Sequence, residues 1–67
     1  MAAHPAAGNR AANLLARLRL LEAEARDLWL VVRDDDGAAD LAEPAFGARH
    51  ALGDAVAALE EVAHRAR

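Results

Sequence analysis

The sequence predicts an all-α protein, an antiparallel two-helix hairpin that assembles into a four-helix bundle by homodimerisation. Twenty of the 67 residues are Ala, the strongest helix former, while strand material is nearly missing, with four Val and no Ile, Thr or Tyr. Apolar residues recur at alternating spacings of three and four in two stretches of similar length. An acidic segment containing Gly and followed by Pro separates them.

Residues 1–8 are Ala-rich and contain Pro, and are expected to form a flexible tail. Asn9 is a candidate cap for a first helix over residues 9–33. Its apolar stripe is Leu14, Leu18, Leu21, Ala25, Leu28 and Val32, flanked by Ala11 and Trp29. Asp34, Asp35, Asp36 and Gly37 end that helix, because carboxylates oppose the negative end of the helix dipole and Gly accepts a left-handed C-cap. An acidic turn over about residues 34–43 follows. Pro44 suits the first turn of a second helix over residues 44–66, with Asp40 or Glu43 as candidate caps. The second stripe is Ala45, Ala48, Leu52, Ala55, Leu59, Val62 and Ala66. Two such stripes joined by so short a connection meet only if the helices run antiparallel.

The chain is short for a self-sufficient core, and without Cys it has neither disulfides nor thiolate metal sites to add stability. Self-association is the remaining common source. Beside its main stripe the first helix carries Ala16, Leu20, Ala23, Leu30 and Val31, and the second carries Phe46, Gly53 and Ala57 away from Leu52 and Leu59. The interface residues expected from these surplus positions are Leu20, Leu30, Val31, Trp29, Phe46, Gly53 and Ala57. A homodimer is the expected partner arrangement, since twofold dimers are the commonest closed oligomers, with a larger ring or a heteromeric protein partner as alternatives. In length and layout the chain resembles Rop-type dimers of helical hairpins, a likeness of architecture alone, which adds an RNA-binding hairpin dimer as a third functional reading.

With Gly37 at the sixth position of a calcium loop, Asp34, Asp36, Asp40 and Glu43 fall at the third, fifth, ninth and twelfth, but Val32 occupies the first, which needs a carboxylate. A solvated acidic turn is favoured. Glu61 and His64, spaced Glu-x-x-His, resemble the ligand pair of ferritin-like metal proteins, which implies a metal site at a subunit interface with His50 as a further ligand. Local pairs at four-residue spacing, Glu60 with His64 and Glu61 with Arg65, are the favoured alternative, so no cofactor and no metal are expected. His50 and Asp54 are spaced as a base and its orienting carboxylate, yet the chain has no Ser, Thr or Cys to act as a nucleophile, and no enzyme is expected.

Arg19, Arg26 and Arg33 repeat every seven residues and could address RNA or another acidic surface. The net charge of −3 argues against phosphate-backbone binding, so nucleic acid ranks below a protein partner. The absence of Lys together with the Ala content points to a GC-rich, bacterial coding sequence. Met1 to Asn9 has neither a basic nor an apolar signal region, and no apolar run reaches membrane length, so a cytoplasmic protein without a membrane partner is expected. The functional expectation is a non-enzymatic protein–protein interaction or oligomerisation module that scaffolds or regulates a larger partner.

Overall fold

The computed structural model describes residues 4–66, and every element among them is helical. Helix α1 spans Pro5–Asp34, a short 3-10 segment spans Asp36–Leu41, and helix α2 spans Ala42–Arg65. The two helices pack side by side as a hairpin, a rod 55 Å long and 15 by 10 Å across.

The expected tail over residues 1–8 lies partly outside the described residues; from Pro5 onward the chain is helical. Pro supplies a φ suited to the first helical turn and has no N–H to leave unpaired there, so α1 starts ahead of Asn9. The His4 amide donates to the Ala66 carbonyl at 3.3 Å and ties the start of α1 to the end of α2. The connection also differs from expectation. No described residue has a positive φ, so Gly37 is not a left-handed cap. Instead the extended Asp35, at φ −105° and ψ 104°, ends α1, and its carboxylate accepts a 2.9 Å bond from the Gly37 amide. One of the three consecutive acids therefore starts the 3-10 segment, satisfying an amide that would otherwise lack a partner. Pro44 lies in the first turn of α2 as expected, whereas neither Asp40 nor Glu43 caps that helix, which follows directly from Leu41.

The seam between the helices mixes small and large residues. Ala11, Leu15, Ala25 and Val32 are buried on α1, with Gly8, Leu18, Glu22 and Trp29 half-buried between them. Ala45, Val56 and Ala66 are buried opposite, with Ala42, Arg49, Leu52, Leu59 and Ala63 half-buried. Two glycines lie on this seam: a Cβ on Gly8 would make an ordinary 3.5 Å contact with that of Ala66, and one on Gly53 would sit 3.2 Å from an oxygen at the end of the flexible Glu22 side chain. The seam overlaps the expected stripes at Leu18, Ala25, Val32, Ala45, Leu52, Leu59 and Ala66. It departs from them at Leu14, Leu21, Leu28, Ala48 and Val62, which are exposed. The neighbouring helix lies on the Ala11, Leu15, Glu22 and Trp29 side of the stripe, which leaves the Leu14, Leu21 and Leu28 side half exposed.

Candidate interaction surface

The displaced leucines are not scattered. Leu14, Leu21 and Leu28 stand one heptad apart on α1, each about half exposed at 48%, 49% and 53%. Leu41, Ala48, Ala55 and Val62 repeat at the same spacing beside the seam line of α2. Both rows lie on one side of the hairpin, because Leu28 and Val32 share an apolar hollow near the turn with Leu41, Pro44, Ala45 and Ala48. With half-buried Leu18, Leu52 and Leu59 between them, these rows form an apolar face along the rod. Large contiguous apolar surfaces are uncommon on soluble monomers.

The opposite face is polar. Arg19 reaches across the seam to Glu60 at 3.0 Å, the one ion pair between the helices among the described residues. Glu22, Arg26, Arg49, His50, Gly53 and Asp54 line a hollow of about 420 Å³, bordered by Phe46. Phe46 meets Trp29 edge-on with ring centroids 5.4 Å apart and stacks on His50 at 6.2 Å. Such aromatic pairs add about 0.5–1.5 kcal/mol to the area they bury.

The seven residues singled out as an interface are spread over several surfaces. Trp29 and Gly53 are half-buried along the seam, Phe46 and Ala57 border the polar face, and on α1 Leu20 and Val31 share one side while Leu30 lies about 90° away. Leu20 and Val31 are 69% and 66% exposed. Of the candidate metal ligands, Glu61 and His64 line one groove together with Glu60 and Arg19, and Glu61 accepts a 2.6 Å bond from Arg65. His50 lies about 21 Å further along α2 at 1.5 Å per residue, 3.7 Å from Asp54. Among the described residues no three His, Asp or Glu side chains converge as a metal site. In the arginine series, Arg19 pairs with Glu60 and Arg33 with Asp34, while Arg26 borders the polar hollow. No helix among the described residues is long and apolar enough to cross a membrane.

The outward leucine row was within the expected stripe, but as core; what sequence reasoning missed is that this row faces away from the second helix. The signal for it is the parallel line through Ala11, Leu15, Leu18, Glu22, Ala25, Trp29 and Val32, equally regular in spacing. No protein-family model matches the chain, and no curated protein or solved structure shows significant similarity to it.

Proposed function

We propose that this protein is a small non-enzymatic interaction module that self-associates through its apolar face into a four-helix bundle, and in that form scaffolds or regulates a larger partner. The observation that carries this reading is the row of half-exposed leucines, Leu14, Leu21 and Leu28, alongside the Leu41 to Val62 row of α2.

Size supports it. The hairpin exposes 5101 Å², whereas a compact protein of its mass exposes about 4,100 Å². Its radius of gyration is 15.5 Å, against about 11 Å for a compact chain of this length. The surplus of about 1,000 Å² is close to the roughly 800 Å² that each partner contributes to a standard interface. Covering the exposed half of each leucine adds on the order of 1 kcal/mol per side chain. A second hairpin of the same shape is the simplest cover, since it presents an identical apolar face.

Sedimentation equilibrium from micromolar to millimolar protein tests the reading. The expected mass is twice 7.1 kDa, with a melting temperature that rises with concentration because folding and association are linked. Leu14→Glu combined with Leu21→Glu is expected to shift the mass to monomer. A wild-type protein that stays monomeric and melts at one temperature across that range overturns the proposal.

A further inference from the structure

We propose that the second copy docks antiparallel, its turn beside this copy's open end, about a twofold axis that crosses the rod near Leu21 and Ala55. This orientation rests on the self-association proposed above and is decided by charges flanking the apolar face. The outer edge of α1, next to the leucine row, carries Arg10, Arg17, Glu24 and Val31 one heptad apart and all exposed. The corresponding edge of α2 carries Pro44, Ala51, Ala58 and Arg65. Arg10, Arg17 and Glu24 have no ion pair within the hairpin among the described residues. The contacts of Gly8 with Ala66, Glu22 with Gly53 and Trp29 with Phe46 set the axial levels. They place Arg10 level with Arg65, Arg17 with Ala58, and Glu24 with Ala51.

Two twofold arrangements lay one apolar face on another. With both turns at one end, α1 of each copy lies on α2 of the other. Arg10 then meets Arg65 of the second copy, a like-charge contact partly offset by the Glu61 that Arg65 already pairs with, while Arg17 and Glu24 face only alanines. With the turns at opposite ends, α1 lies on α1 and α2 on α2. Arg17 then meets Glu24 of the second copy, twice by symmetry, and Ala51 meets Ala58, which lets the α2 pair approach closely. Opposite charges across such an edge fix orientation as they do beside coiled-coil seams.

The ends of the rod favour the same choice. Asp35, Asp36, Asp40 and Glu43 at the turn have no ion pair within the hairpin among the described residues, so placing two turns together would crowd like charges. Opposed ends separate them. Shape agrees: the apolar hollow beside Leu28 and Leu41 receives Leu14 and Val62 from the open end of the second copy instead of facing a duplicate of itself.

The chain has no Cys, so Ala39→Cys carries a single spin label per copy on the exposed turn. In the full-length dimer, the expected label separation is roughly 40 Å or more with the turns at opposite ends, against under about 20 Å with the turns together, since α1 alone rises about 1.5 Å per residue. Charge exchange gives a second readout on exposed residues. Arg17→Glu and Glu24→Arg are each expected to raise the dissociation constant about tenfold at low salt, and the double exchange to return it to within about threefold of wild type. A short turn-to-turn separation, or single variants without effect, overturns the antiparallel register while leaving self-association intact. A monomeric wild-type mass overturns both.

Discussion

The two broad faces of this hairpin use the same helices for different ends. The polar face is finished within one chain: Arg19 and Glu60 bridge the helices, Glu61 holds Arg65, and Phe46 meets Trp29 edge-on and stacks on His50. The apolar face is not finished, since its leucines are half exposed and a hollow of about 270 Å³ beside Leu28 and Leu41 is almost wholly apolar in lining. A hairpin of two helices has one seam but each helix carries an apolar arc wider than one seam can cover, so a surplus is forced onto one side.

That contrast can be broken by making the same change on different sides of α1. Leu21→Ser, on the apolar face, is expected to cost about 2 kcal/mol of dimer stability and to lower the concentration-dependent melting temperature by several degrees. Leu20→Ser, on a neighbouring and more exposed position, is expected to stay within about 0.5 kcal/mol of wild type. Equal losses in thermal melts at matched concentration would mean that the two surfaces are covered alike.

Smaller effects sharpen the picture of the polar face. Arg19→Ala removes the bridge to Glu60 at the surface, and a loss of under about 1 kcal/mol is expected, fading in high salt because both groups are half exposed. Arg65→Ala removes only a pair within the last turn of α2, so a change of about 0.3–0.5 kcal/mol is expected. Denaturant titrations at low and high salt would read both. Losses larger than that of Leu21→Ser would reverse the ranking of the two faces.

Much of the architecture was legible in the residues. Ala content, heptad spacing, the acidic break and Pro44 lead to two antiparallel helices, and these are what the structure contains. The boundary details were not. Asp35 rather than Gly37 manages the end of α1, because a carboxylate aimed at the Gly37 amide serves the same orphan group without a left-handed residue. Glu60 was expected to pair along its own helix with His64 but pairs across the seam with Arg19, a partner far away in sequence.

The candidate surface was half legible. Leu14, Leu21 and Leu28 stood out as a row, and only their orientation was misjudged. A line through Leu18, Ala25 and Val32 belongs equally to a seam with Leu14, Leu21 and Leu28 on one side and to a seam with Leu15, Glu22 and Trp29 on the other, about 50° away in each direction. Composition alone ranks the leucine side first.

Two helices, the place of the turn and an apolar surplus beyond one hairpin seam follow from the residues alone, since these depend on local propensity and periodicity. Which of two adjacent lines faces inward is set by the packing of one helix on the other. That choice depends on partners distant in sequence: Trp29 meeting Phe46 and Arg19 meeting Glu60 keep the second helix beside Leu15, Glu22 and Trp29, so Leu14, Leu21 and Leu28 stay half exposed.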